Sequence, residues 1–393
     1  MADSPVPKPA RRRKWLLRRI PLLVIIVLLL IGAAVVGDWA GVFRSSVGRS
    51  WNGPSDKLSS TLIVPTLDTP IATGKNVIWC SSFQVAWNHL KNDIIKEPVQ
   101  LANAQLIADR LNNAKESEAD LPADSYYAAA GWVKDGIIET IQKEMAKRFP
   151  DAPTPTFDSP LKEAVAYAYL AADILFDPPF IDNPKKLDFK PSTGETGAVR
   201  SFGIPPRTHG QGHRLRDRVT ILYAFAAPRR GGEDEFVIDP CNDSRPNQIV
   251  LASVAPKATV AETLSDVEAK VAQWKPGPEY EYSHVETLLI PNSSFRIHHH
   301  FSEIEGEDKR FLNKTGERLW LSEAFQMIDF KLRRTGVSLK SEAKIIATQA
   351  APSERVITDF VFDRPFLLYM KKRGAERPFF VMWVDNPELL TKW

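Results

Sequence analysis

The sequence predicts a mixed α+β fold. Helical periodicity clusters in the first half of the body and strand-length apolar runs dominate the second, and the chain closes on two such runs joined by a glycine-containing turn. Among the helices, NVIWCSSFQVAWNHLKNDI repeats Val77, Phe83, Trp87 and Leu90 at helical intervals, and DGIIETIQKEMAKRF does so with Ile137, Ile138, Ile141 and Met145. PDAPTPTFDSP stops any helix. TVAETLSDVEAKVAQW then sets Leu264, Val267, Val271 and Trp274 on one face, with Thr259 as the N-cap. Strands are expected over EAVAYAYLAADILF, RVTILYAFA, QIVLASVA, HVETLLIP, RLWLSEAFQMIDFKL, RPFLLYM and RPFFVMWV. The last two, linked by KKRGAE, predict a C-terminal hairpin.

The chain has 393 residues, 44% of them hydrophobic and 25% charged, a globular composition that supports a sizeable core. Its net charge of +3 is unevenly placed. Residues 1–44 hold eight Lys or Arg and two Asp, which leaves 43 basic against 46 acidic residues beyond them, a balance of −3. Such a body has no electrostatic footprint for nucleic acid.

The basic surplus, KPARRRKWLLRR, directly precedes an uncharged run from Ile20 to Gly37. With its flanks this run reaches the roughly 20 residues that cross a bilayer, so it is expected to be a transmembrane helix or signal anchor. The positive flank predicts a cytoplasmic tail over residues 1–19 and an extracytoplasmic body. Gly32, Ala33, Ala34 and Gly37 leave a cleaved signal peptide, and hence a secreted body, as the alternative. Residues 38–74, rich in Ser, Gly and Pro, are expected to be a linker, and the folded domain to span 75–393. Cys80 and Cys241 make no disulfide framework; one bridge or two buried thiols both remain open.

RIHHHF draws attention to His298, His299 and His300. On a strand His298 and His300 share one face and His299 takes the other, so a metal would need further ligands, such as Glu303 or Glu305. A solvated strand end is the simpler reading, and neither metal nor cofactor is expected. Gly-x-Ser-x-Gly, His-Glu-x-x-His, phosphate-binding and dinucleotide-binding signatures are all absent, so an enzyme is not expected.

Several stretches, taken in order, resemble the serpin family. VFDRPFLLYMKKRGAERPFFVMWVDNP looks like its C-terminal signature, and NVIWCSSFQVAWNHL like the start of its helix B, with the pattern Asn-Val-x-x-Ser-Pro-x-Ser. EAVAYAYLAADILFDPPF is similar to its central strand running into Trp-x-x-x-Phe, here with Phe176 and Phe180. HVETLLIPNSSFRI and RLWLSEAFQMIDFKLRRTG are similar to a core strand and to the strand leading into the hinge glycine. The resemblance covers about residue 75 to 393. It implies a three-sheet fold with about nine helices, and an exposed reactive-centre-type loop between Gly336 and Phe362. In that family a serine protease cuts the loop, which then inserts into the main sheet as an extra strand and traps the acyl-enzyme.

Departures accompany the likeness. The family's polar latch beneath the main sheet uses two Ser, an Asn and a His, and those positions are Cys80, Phe83, Ala168 and Gln326 in this sequence, a largely apolar set. The hinge reads RRTGVSLKSEAKIIAT, in which Arg333 and Arg334 precede the glycine and Leu339 and Lys340 interrupt the family's run of small residues. Alternation nonetheless puts Val337, Leu339, Ser341, Ala343 and Ile345 on one face and charged residues on the other, as an inserted strand requires. Counting from Gly336 as in the family puts the scissile pair at Ala350 and Ala351, suited to an elastase-like protease, with Arg355 the competing bait for a trypsin-like one. The resemblance implies a membrane-anchored protease inhibitor; the departures imply instead a non-inhibitory binding or scaffold protein that has lost the switch.

Overall fold

The computed structural model describes residues 49–157, 163–173, 176–206, 212–225, 234–276, 284–335 and 357–393. The expected anchor, Ile20 to Gly37, lies outside them. Among the described residues no helix is long and apolar enough to cross a membrane.

The main sheet has five strands in the order β1 (Trp51–Pro54), β14 (Ser293–His300), β15 (Leu321–Leu332), β5 (Ala164–Asp173) and β4 (Tyr126–Trp132). Side-chain alternation gives this sheet two buried faces. Ala164, Ala166, Ala168, Ala324, Ile328, Phe295 and Ile297 enter the large inner core, which also holds Phe83 and Trp87 of helix α1 (Ser81–His89). Val165, Tyr167, Tyr169, Phe325 and Met327 face outward under Ile141 and Met145, on a helix (Ile137–Arg148) that we label α3. Helix α2 (Gln105–Asn113) packs beside α1 through Ala108 and Leu111.

The largest sheet, of seven strands, runs β10 (Thr220–Ala224), β11 (Phe236–Asp239), β12 (Asn247–Ser253), β17 (Phe366–Lys372), β18 (Phe380–Val384), β3 (Asn76–Cys80) and β2 (Thr61–Val64). β17 and β18 form the predicted antiparallel hairpin, from Phe366 opposite Val384 to Met370 opposite Phe380. Gly374 takes φ +87° in its turn, a backbone conformation that suits glycine. A third sheet joins β16 (Ile357–Val361), β13 (His284–Pro291), β9 (Ser201–Ile204) and β6 (Ile181–Asp182), and β7 (Leu187–Phe189) pairs with β8 (Gly197–Val199). Helix α4 (Gly212–Arg216) is short, whereas α5 (Val260–Gln273) is capped as predicted, the Thr259 hydroxyl accepting from the Glu262 amide at 3.1 Å.

Three expectations are corrected. Residues 49–74 are part of the compact unit Arg49–Trp393, not linker. β1 and β2 pair in parallel with β14 and β3, and the Glu388 carboxylate accepts from the Ser59 amide at 2.7 Å, the Ser60 amide at 3.0 Å and the Thr61 hydroxyl at 2.7 Å. These charge-assisted bonds fix a stretch whose own apolar content is small. Asn76–Cys80, expected as helix, is a fully buried strand between β18 and β2, and the helix starts only at Ser81. Finally, the described residues hold five α-helices against the about nine implied by the resemblance, while the three sheets expected are joined by the two-stranded β7–β8 pair.

Candidate functional site

The centre of interest is a seam in the main sheet. β14 pairs antiparallel with β15 and β4 antiparallel with β5, but β15 and β5 run parallel, from Leu321 opposite Ala164 to Lys331 opposite Asp173, with one register shift between Leu321 and Glu323. A parallel ladder is slightly weaker per residue than an antiparallel one. The chain leaves β15 at Leu332, passes through residues 333–356, and re-enters the described structure at β16 in a different sheet. The loop residues singled out in the sequence, Gly336, Val337, Leu339, Ser341, Ala343, Ala350, Ala351 and Arg355, lie outside the described residues.

The four latch positions come together on the inner side of the seam. Gln326 is the register partner of Ala168 across it, and its side-chain amide donates to the Ser82 hydroxyl at 2.9 Å and, at 3.5 Å, toward the Cys80 carbonyl. Phe83 stacks obliquely on Phe301 with ring centroids 4.0 Å apart. The shorter of the two Gln326 bonds goes to Ser82, which lies one residue before Phe83 and was not among the four positions singled out in the sequence. Cys80 is a free, buried thiol whose pKa burial raises well above its usual value, so it stays protonated. Cys241 is likewise free and buried; its thiol donates to Asp243 and its pKa is pushed up to about 12, mainly by burial.

Gln326 Oε1 is buried and has no hydrogen-bond partner among the described residues. Opposite it on β14 stands His299, whose Nε2 is also buried without one, while its Nδ1 lies 2.7 Å from the Ser55 hydroxyl. Burial lowers the His299 pKa to about 4, with a smaller push from His300. As predicted, His298 and His300 take the other face, where both rings pack near Phe325 and His300 meets Glu305 at 3.2 Å. Among the described residues no group of three or more His, Cys, Asp or Glu side chains is gathered for a metal.

The outer side of the seam is closed by aromatic rings. Phe325 and Tyr167, register partners, stack with centroids 5.7 Å apart, and Phe157 and Phe149 brace Tyr167 and Tyr169 at 6.1 and 4.6 Å. The Tyr167 hydroxyl is buried without a partner. At the hinge end, Arg334 pairs with Asp182 at 2.9 Å and its carbonyl accepts from the Phe180 amide at 3.0 Å. Phe176 and Phe180 meet edge to face at 5.0 Å and both contact Phe202 of β9, so this end is tied to the third sheet. Arg49 and Arg296 both bind Asp329, which fastens the N-terminal end of the described chain to β15. Ser82, Tyr167 and Asp182 carried no motif signal; the bond from Gln326, the parallel register with its ring contacts, and the ion pair with Arg334 identify them respectively.

No family model matches this chain. A 137-residue stretch is 31% identical to a polyribonucleotide nucleotidyltransferase of Rhodopseudomonas palustris (strain BisA53), covering 35% of this chain and 18% of that protein. The chain thus spans less than a fifth of that relative's length. Among solved structures, it is similar to human glycosylated kallistatin (13% identity, 80% of this chain and 92% of that one, TM-score 0.45). It is also similar to a thyroxine-binding globulin complex with thyroxine (13%, 80% and 93%, TM-score 0.44) and to Arabidopsis AtSerpin1 in its native stressed conformation (16%, 81% and 93%, TM-score 0.42).

Proposed function

We propose that the chain is a serpin-like inhibitor of serine-type proteases that offers residues 336–356 as a cleavable loop and takes up the cut end as a new strand of its main sheet. The observation that carries this reading is the parallel β15–β5 seam immediately upstream of that segment. A chain that turns back at Gly336 runs antiparallel to both seam strands, so its entry replaces one parallel ladder with two antiparallel ones. At ~3.3 Å per residue the segment extends to about 70 Å, roughly twice the ~33 Å of the ten-position ladder. β5 presents Ala164, Ala166, Ala168 and Ala172 to the inner side, where Val337, Leu339, Ser341, Ala343 and Ile345 would point. In this reading the target protease performs the chemistry and the chain itself is no enzyme. The bait is Ala350–Ala351 for an elastase-like protease or Arg355 for a trypsin-like one, and the run Ile20 to Gly37 holds the inhibitor outside a membrane. Incubation with both protease types tests the proposal: a covalent complex on a denaturing gel is expected, and clean cleavage with no complex from either overturns it.

The Arg334–Asp182 ion pair and the Gln326–Ser82 bond favour a second reading, a binding or scaffold protein in which the seam stays shut. In that case cleavage of the loop leaves thermal stability unchanged.

A further inference from the structure

Bare sheet edges invite pairing with another chain, and most edges in the described residues are blunted. β1 has four residues and ends in Pro54, β2 has four, β6 two, and β7 and β8 three each. β10 and β16 have five residues each and carry register shifts in their ladders. β4 is different. Its seven residues, YYAAAGW, hold no charge and no proline, and their register on β5 is unbroken.

The direction of its free backbone groups follows from two bonds. The Ser125 carbonyl accepts from Ala171 at 2.8 Å and the Val133 amide donates to Glu163 at 2.8 Å, so the odd-numbered residues bond to β5. The antiparallel alternation then turns the N–H and C=O of Tyr126, Ala128, Ala130 and Trp132 away from the sheet. Arg148 occupies the Tyr126 carbonyl at 2.9 Å. Those of Ala128, Ala130 and Trp132 find no protein partner among the described residues. The faces of the strand are covered, since Ala128, Ala130 and Trp132 pack on the inner core and Ala129 beneath the outer cluster. Yet all four stay partly exposed, and with both faces covered the opening is the edge itself.

We propose that β4 joins two copies of this chain, strand to strand and antiparallel, about a two-fold axis at Ala130. A second copy fits because the strand complements itself in this register. Trp132 falls opposite the second copy's Ala128, Gly131 opposite its Ala129, and Ala130 opposite its Ala130, so the bulky ring always meets a small side chain. Lys134 falls opposite Tyr126 and Asp135 opposite Ser125, so no like charges meet. About six N–H···O bonds close the edge and extend the sheet across both molecules. This inference does not depend on whether the loop inhibits a protease.

Full-length protein in detergent tests it through two cysteine variants, because Cys80 and Cys241 are buried and do not compete. Ala130→Cys is expected to give a disulfide-linked dimer under mild oxidation, since its paired Cα atoms would lie about 5.5 Å apart. Ala129→Cys, which faces Gly131 instead, stays monomeric on the same non-reducing gel. Ala130→Pro removes only an outward N–H and is expected to shift the sedimenting species from dimer to monomer. If that variant fails to fold by circular dichroism, the cysteine pair decides. A wild-type monomer at tens of micromolar, or equal cross-linking at 129 and 130, overturns the proposal.

Discussion

Gln326 ties β15 to helix α1 on the inner side of the seam. Its amide nitrogen is satisfied by Ser82 while its oxygen is buried and unmatched, so the two halves of the group act on stability in opposite directions. Ser82→Ala is expected to destabilise the fold by about 1 to 3 kcal/mol, because it leaves the buried donor without its partner. Gln326→Leu, which removes donor and acceptor together, is expected to fall within about 1 kcal/mol of wild type. Urea unfolding of the two variants measures both, and equal losses would contradict the assignment. His299 makes a prediction about pH. Its native pKa of about 4 lies below the ordinary 6.5, so between those values the unfolded chain binds a proton that the folded one does not. Stability therefore falls as pH drops through that window, by about 3 kcal/mol at its acid end. His298 shifts the same way through burial beside Arg296. His299→Gln should flatten the melting temperature against pH, and a variant curve parallel to wild type would contradict this. None of this was visible in residue types alone: the resemblance aligned Gln326 with a latch position, but Ser82, which accepts its bond, sits one place off the motif.

At the scale of elements, what could be read depended on whether an element carries its own pattern. The C-terminal hairpin and α5 were legible, because alternation around a glycine turn and a Thr cap before a helical stripe are local signals. β3 was misread since Val77, Phe83, Trp87 and Leu90 share a helical spacing that runs across its junction with α1, and only pairing with β18 makes Asn76–Cys80 extended. β4 went unread because its alanines have weak strand propensity and its register is imposed by β5. The linker expected before Lys75 became β1, paired with β14 more than two hundred residues away, and β2, paired with nearby β3 and anchored by the distant Glu388. The seam is likewise a property of paired elements. Phe325→Ala removes the stacked ring across it and is expected to cost about 3 kcal/mol while easing strand separation. Arg334→Ala frees the hinge from Asp182. Its half-exposed ion pair contributes under about 1 kcal/mol, so the variant should leave the melting temperature nearly unchanged and, under the proposed inhibition, raise the fraction of protease trapped rather than released. A partition between trapping and release identical to wild type would show that the hinge pair does not limit insertion.

Across the whole molecule the order of events links these contacts. The chain climbs β15, leaves the sheet beside the Phe176, Phe180 and Phe202 rings, and returns through β16, so residues 336–356 join the main sheet to the third one. While intact, the segment is held at both ends. Under the proposed function the cut end following Gly336 enters the seam, where Phe325–Tyr167 on the outer side is a contact across it that must part and Gln326–Ser82 flanks it on the inner side. In the proposed mechanism, new antiparallel ladders on both sides of the entering strand outweigh what is broken, so the proposal makes the cut form the more stable one. The most direct test is the melting temperature of the protein before and after limited cleavage within 336–356. Insertion predicts a rise of roughly 10 °C or more for the cleaved protein. An unchanged or lower melting temperature would contradict it.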